Sequence, residues 1–259
     1  MNRFTHGIVV AAGAAVAAGC LALASAAPSG ASGNARAPAA VTAQVSVSGV
    51  VSPAYVAPAR TLRYGMSGSD VKALQQRLAA LKYYPGPVNG VFGTDTLEAV
   101  WAFQEVQGLT VDGVVGKLTG HALVSPRTYQ ARDPRGGALR VEVNLTKRVL
   151  VLYQDNKIAL ISHVSTGGGY YYCSPNGCRY AITPTGSFRT TVYLPGWVTV
   201  PLGEMYNPVF FIRTAFAIHG DTYVPVNPVS HGCVRIPMDI AAFFHTMVRT
   251  PGTPVYIYR

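Results

Sequence analysis

Ala217-Ile218-His219-Gly220 and, ten residues on, Ser230-His231-Gly232-Cys233-Val234-Arg235 frame the stretch from which the rest of the chain is read. A cysteine follows a glycine in what reads as a tight turn. One imidazole lies two residues before it and another fourteen residues before it. A thiolate is the nucleophilic form of cysteine, and a free thiol of pKa ~8.5 is only a few per cent ionised at neutral pH. A neighbouring imidazole can take the proton. Gly232, small and without a side chain, lets an acyl group come close to the backbone and leaves N–H groups to hold an oxyanion. These residue types at these spacings point to thiol-based acyl transfer.

The motif resembles the signature of the L,D-transpeptidase (YkuD-type) family: a His-Gly or His-Ser pair, then Ser-His-Gly-Cys, an apolar residue, and Arg or Asn. The residues that carry it are His219, Gly220, Ser230, His231, Gly232, Cys233, Val234 and Arg235, and the resemblance extends over residues 139–259. It implies a mainly-β domain that cross-links or trims cell-wall peptides. Cys233 is then the nucleophile and His219 the general base, with the Gly220 carbonyl orienting that base. N–H groups around His231–Cys233 form the oxyanion hole. His231 supports the loop or the substrate, and Ser230 and Arg235 fix the loop by hydrogen bonds. Arg235 is also a candidate to hold a substrate carboxylate, which a guanidinium fork does well. Tyr206 is expected to line the cleft. Gly220 stands where some members carry serine, and the short His219–Cys233 interval implies a reduced flap between the two motifs.

The implied reaction begins with attack of Cys233 on the carbonyl of the third residue, a diamino acid, of a tetrapeptide stem. D-Ala leaves, and a second stem's side-chain amine opens the thioester to give a 3→3 cross-link. If water opens it instead, the enzyme is an L,D-carboxypeptidase. The resemblance further implies acylation by carbapenem-type β-lactams. A reading from another class is a wall-binding protein with a degenerate catalytic domain. His219, His231 and Cys233 also have ligand types that suit zinc. No Cys-x-x-Cys pair, His-Glu-x-x-His motif or carboxylate cluster accompanies them, so neither metal nor cofactor is expected. His6, His121, His163 and His245 lack partners in the sequence and read as surface or core residues.

Charged residues make up 12% of the 259, against ~25% in ordinary soluble proteins, and the formal net charge is +10. A basic balance suits an anionic partner. The basic residues are dispersed rather than clustered, which argues against nucleic acid and for anionic wall polymers beside the peptidoglycan stem peptides and glycan. Arg3, the apolar run 7–23 and Ala24-Ser25-Ala26 form an export signal with an A-x-A cleavage site. Ala17-Ala18-Gly19-Cys20 is a weak lipobox, so a lipid anchor on Cys20 or an uncleaved membrane anchor stays open. All three alternatives export the rest of the chain. With Cys20 removed, Cys173, Cys178 and Cys233 remain. Pro175-Asn176-Gly177 turn chemistry can bring Cys173 and Cys178 within bonding distance, which leaves Cys233 unpaired and reactive.

Residues 27–60 read as a flexible Ala/Pro/Ser-rich spacer. Residues 61–125 read as three helices, with Ser69 and Thr94 as N-caps and a third helix near 117–123. Asn89-Gly-Val-Phe-Gly93 echoes Asp112-Gly-Val-Val-Gly116, each a turn feeding a helix start. With Leu74-Gln75, Phe103-Gln104 and Gly108-Leu109, this segment resembles the peptidoglycan-binding three-helix domain. Trp101 and Phe103 are expected to fill its core. Residues 126–138 read as a linker. The alternation from Leu139, the apolar run at 149–153, a turn at Asp155-Asn156, strands around 158–164 and 205–218, a helix near 238–248 and a closing strand at 254–258 follow. Pro208 is read as a strand start or an edge. The expected architecture is α plus β in two domains, three helices followed by a mainly-β unit.

Overall fold

The computed structural model describes residues 54–133, 136–174 and 177–259. The signal, Cys20 and most of the spacer lie outside the described residues, as do Pro134, Arg135, Pro175 and Asn176. Among the described residues no helix is long and apolar enough to cross a membrane.

Three helices come first: α1 (Ser69–Ala80), α2 (Thr94–Gln107) and α3 (Lys117–Val124). Their starts differ from the expectation. Gly68 and Gly93 are the N-caps, and no side-chain cap bond forms at either. The work falls instead to two buried glutamines, which explain the internal echo. Gln75 donates from Nε2 to the Val91 carbonyl at 2.9 Å and accepts the Gly90 N–H at Oε1 at 2.8 Å. Gln104 repeats this at the second turn, donating to the Val114 carbonyl at 3.1 Å and accepting the Gly113 N–H at 2.9 Å. Each turn needs a glycine: φ is +79° at Gly90 and +72° at Gly113. A buried amide with both ends satisfied locks a turn where a short cap would hold one N–H.

The remaining elements are β1 (Arg140–Asn144), β2 (Val149–Gln154), β3 (Lys157–His163), β4 (Tyr171–Ser174), β5 (Gly177–Tyr180), β6 (Gly186–Arg189), β7 (Trp197–Val200), β8 (Gly203–Ile212), β9 (Phe216–Gly220), β10 (Val234–Ile236), α4 (Met238–Met247) and β11 (Pro254–Tyr258). One sheet runs β3-β2-β1-β11-β6 and a second β10-β9-β8-β7; β4 and β5 form a separate hairpin. Asp155 and Asn156, at φ +50° and +60°, close the β2–β3 hairpin as the primed turn their residue types predict. The core between the sheets holds Val141, Val143, Leu150 and Leu152 from the first sheet. Val209, Phe211, Ile218, Val234 and Ile236 face them from the second, with Ile240 and Phe244 of α4.

β2 reads Val-Leu-Val-Leu-Tyr because both of its faces are buried. Leu150 and Leu152 face the inter-sheet core. Val149, Val151 and Tyr153 join Ile161 in a second core with Leu74, Leu78, Val100 and Phe103 of the helical unit. The helices therefore pack on the outer face of the first sheet. The segment read as a linker is part of that junction, with Tyr129 buried and its hydroxyl 2.8 Å from that of Tyr258. Phe103 fills the core as expected, whereas Trp101 is half-buried with its ring edge-on to His163, centroids 5.5 Å apart. Pro208 differs from its reading too. β8 is an interior strand, and Pro208 is tolerated there because the register shifts between Tyr206 and Val209, with Asn207 at φ +47°.

Candidate active site

β9 and β10 pair in parallel, with Val234 opposite Ile218, Arg235 opposite His219 and Ile236 opposite Gly220. Side chains alternate along a strand, so Ala217 and His219 leave β9 on one face while Ile218 and Gly220 turn to the inter-sheet core. Cys233, one residue before β10, continues the row that Arg235 occupies. The thiol, the His219 imidazole, Ser230, His231 and Arg235 all line one cleft of about 280 Å³.

His219 is 4% exposed, and its Nδ1 lies 2.9 Å from the Gly220 carbonyl oxygen. A carbonyl can only accept, so Nδ1 carries the proton and Nε2 is left with its lone pair. Burial lowers the His219 pKa, helped by the Arg235 charge and opposed by the Gly220 carbonyl and Asp221. Burial pushes the Cys233 thiol up, against a backbone hydrogen bond from Ala217 and the Arg235 charge. Both shifts favour the uncharged forms of the two groups.

The turn before the thiol is held from several sides. Gly232 has φ +137°, and a Cβ there would lie 2.5 Å from the Phe216 ring and 2.9 Å from the Ile182 carbonyl oxygen. Ser230 Oγ donates to the Cys233 carbonyl at 2.6 Å and accepts the Gly232 N–H at 3.0 Å. That second bond corrects the oxyanion expectation, because the Gly232 donor is already engaged inside the loop. Thr183 donates to the Gly232 carbonyl at 2.8 Å and accepts the Gly167 N–H at 2.9 Å. Ser165 donates to the Asn227 carbonyl at 2.9 Å and pairs through its backbone with Arg235.

Arg235 fixes the loop through that backbone pairing. Its side chain forms an ion pair with Asp221, Nε to Oδ2 3.2 Å, in a geometry that makes no hydrogen bond. His231 sits edge-on to Tyr172 and Tyr170, centroids 4.7 and 5.5 Å away. Tyr206 is not among the cleft-lining residues. Strand alternation sends it to the α4 side, where its ring would meet a Cβ on Gly220 at 3.1 Å, and its neighbours Met205 and Glu204 line the cleft instead. Cys173 and Cys178 are disulfide-bonded directly across β4 and β5, and Cys233 is free. The hairpin they clip brings Tyr172, Ser174 and Arg179 to the cleft wall. The cleft therefore has its flap, but from β4–β5 rather than from the short interval between the two motifs. Among the described residues no group of three or more His, Cys, Asp or Glu is arranged to hold a metal ion.

Thr183, Ser165, Met205 and Glu204 were not read as site residues. The partners of Thr183 and Ser165 lie about fifty to sixty residues away in sequence. No local spacing announces such a bond.

Residues 138–257 match the model of the L,D-transpeptidase catalytic domain, and residues 67–123 match that of a peptidoglycan binding domain. The solved L,D-transpeptidase of Xylanimonas cellulosilytica (residues 123–326) is 35% identical, with a TM-score of 0.72; the match covers 78% of this chain and 99% of that one. Curated relatives match over shorter stretches. The spore cortex-lytic enzyme of Bacillus cereus is 44% identical over 78 residues, 30% of each chain. The N-acetylmuramoyl-L-alanine amidase CwlM of Mycobacterium tuberculosis is 42% identical over 69 residues, 25% of this chain and 17% of that one. The chain spans less than a third of the length of either curated relative. A thiol and a singly protonated imidazole on one strand face, the two matched domains and the near-complete correspondence with a solved homologue lead to one statement: the chain belongs to the L,D-transpeptidase family, as a YkuD-type domain behind a peptidoglycan-binding domain.

Proposed function

We propose that the chain is an exported cysteine L,D-transpeptidase that joins peptidoglycan stems by 3→3 cross-links. The observation that carries this reading is the shared face of Cys233 and His219, with the imidazole proton committed to Gly220 and Nε2 left as the acceptor.

His219 Nε2 takes the Cys233 proton as the thiolate attacks the carbonyl carbon of the third stem residue. A C–S bond forms, and the developing oxyanion is held by backbone N–H groups at His231 and Cys233. Collapse breaks the peptide bond, and His219 returns the proton to the departing D-Ala amine, leaving a thioester. The side-chain amine of a second stem attacks that thioester, giving an amide and the restored thiol. Arg235 and the β4–β5 wall orient the donor stem, and the helical unit keeps the enzyme on wall material. The same thiol opens carbapenem-type lactams to a stable thioester. Hydrolysis by water, the carboxypeptidase outcome, uses the same first half.

Incubating the full mature chain with a disaccharide-tetrapeptide and following products by mass spectrometry tests the proposal. Loss of D-Ala with a cross-linked dimer supports it. Tripeptide without dimer makes the enzyme a carboxypeptidase, and an unchanged tetrapeptide leaves a wall-binding protein.

A further inference from the structure

A second cavity, about 420 Å³ and sharing no residue with the catalytic cleft, opens where the end of the helical unit meets the ends of β1 and β11. Arg127, Arg132, Lys147 and Arg259 line it, and no Asp or Glu side chain does; the one carboxylate there is the main-chain one of Arg259. The charges around this cavity are unevenly matched. Glu105, on the neighbouring turn of α2, is already paired with Arg148 at 2.6 Å, and Lys147 reaches only its backbone oxygen, at 3.4 Å. Glu142 is buried and fully engaged: Arg140 Nε at 2.9 Å, the Arg132 N–H at 2.9 Å and the Tyr258 hydroxyl at 3.0 Å. Asp133 follows Arg132 in sequence but does not line the cavity. Among the described residues no salt bridge pairs Arg127, Arg132, Lys147 or Arg259 with an Asp or Glu side chain.

The arrangement is built rather than incidental. Arg132 lies over the Tyr258 ring with its guanidinium carbon 4.8 Å from the centroid, and its Nη1 donates to the main-chain carboxylate oxygen of Arg259 at 3.4 Å. The fork is therefore held in place before any ligand arrives, so less side-chain freedom is lost on binding. Gln107 fixes Arg127 by a two-way amide bond to its backbone, at 2.8 and 3.0 Å, leaving its side chain to project into the cavity. Asn144 and Gln130 add neutral polar groups between the cations.

We propose that this cavity binds a phosphodiester polyanion, the charged repeat of a polyol-phosphate wall polymer. A single carboxylate would leave most of the four cations unmatched, whereas successive phosphates along one chain can meet them in turn. Guanidinium forks match phosphate oxygens two at a time, and the amides suit the polyol hydroxyls between phosphates. The choice of a wall polymer over nucleic acid rests on the exported reading above. The site itself rests on the cavity and its charges alone.

The test uses the full mature chain and a fluorescently labelled oligo(glycerol phosphate), with anisotropy read at several salt concentrations. Binding should weaken steeply with salt, as expected when several phosphates displace counterions. Arg127→Gln with Lys147→Gln keeps the packed Arg132 in place and should weaken binding at least ~10-fold at low salt, with a shallower salt slope. Lys72→Gln with Lys157→Gln removes the same charge from exposed positions elsewhere and should change affinity less than ~2-fold. Acylation by a β-lactam should be unchanged in both variants, which separates failure of this site from failure of the catalytic reading. Equal weakening in the two variants, or equally tight binding of poly-glutamate, would overturn the proposal. Tighter binding of oligo-dT than of the polyol phosphate at equal charge would also overturn it, in favour of nucleic acid.

Discussion

Two imidazoles are almost completely buried on opposite faces of the fold, and their settings teach different things. His163 ends β3 beneath the helical unit, 1% exposed; His219 lies in β9 beside Cys233, 4% exposed. Both keep one ring nitrogen on a backbone carbonyl: Nε2 of His163 on Pro225 at 3.1 Å, Nδ1 of His219 on Gly220 at 2.9 Å. Burial depresses both pKa values, His163 to about 4. What separates them is the second nitrogen. In His219 it belongs to a cleft that holds a thiol. In His163 it is Nδ1, buried without a hydrogen-bond partner, in a ring packed against Trp101. A perturbed, buried histidine is thus a functional signal only when the strand register brings a reacting atom to the same face.

The comparison breaks most visibly at the thiol. Cys233→Ala should abolish both D-Ala release and covalent β-lactam labelling while the fold, read by thermal unfolding, persists. Either activity surviving at the wild-type rate would take the cleft's nucleophile away.

On the interface side the largest expected effect is at Arg140, whose side chain is 2% exposed against Glu142 at 0%, 2.9 Å away. Its guanidinium also stacks 3.7 Å above the Tyr153 ring centroid. Arg140→Ala leaves Glu142 buried without its main partner, which costs about 3–5 kcal/mol. Denaturant unfolding measures it, and a loss under 1 kcal/mol would mean the pair is solvated.

A smaller effect belongs to the flap. Cys173→Ser with Cys178→Ser should cost about 2 kcal/mol in the chain-entropy view of so short a loop. Acylation should slow modestly rather than vanish, because the hairpin supplies cleft wall and not the reacting pair. Thiol titration of the denatured, unreduced chain beginning after Ala26 should find one free thiol; three would remove the clip.

The junction also carries a pH slope. Asp95 is raised to about 7 by burial and by its hydrogen bond to Asp239, and Glu98 to about 8, chiefly by burial. Unfolded, both carboxyls titrate near ~4. The folded chain therefore binds these protons more tightly, and stability falls as pH rises from about 4 through about 8. His163 acts oppositely: its neutral form is favoured by folding, so its contribution is lost as pH falls from 6.5 toward about 4. Asp95→Asn should raise Tm at pH 8 and leave it unchanged at pH 4, and no gain at pH 8 would place the pair in solvent.

What the sequence disclosed follows the same division. The free thiol, the Asp155-Asn156 hairpin and the echoed turns were legible because their physics is local: a residue type, a spacing, a required positive φ. Tyr206 was misplaced because the irregularity at Asn207-Pro208 resets the alternation that would have shown which neighbour faces the cleft. Arg140 and Glu142 looked like the solvent face of an alternating strand. They are buried because the 129–137 segment, Tyr153 and Tyr258 close over that face, contacts that no local spacing announces. Thr183 and Ser165 were invisible as buttresses, since long-range bonds to the Cys233 loop have no signature in spacing.

The central claim is that His219, and neither of the other two imidazoles considered, takes the proton from Cys233. Pre-steady-state acylation by a chromogenic β-lactam, followed across pH, measures it for His219→Gln, His231→Ala and His163→Gln. Loss of a general base costs ~10²–10⁴-fold in rate, so His219→Gln should fall in that range. His231→Ala should lose far less, and His163→Gln should acylate at the wild-type rate with a lower Tm. In the wild type the acid limb should lie below the ordinary imidazole value, because burial depresses His219. A loss at His231 equal to or larger than that at His219 would contradict the account.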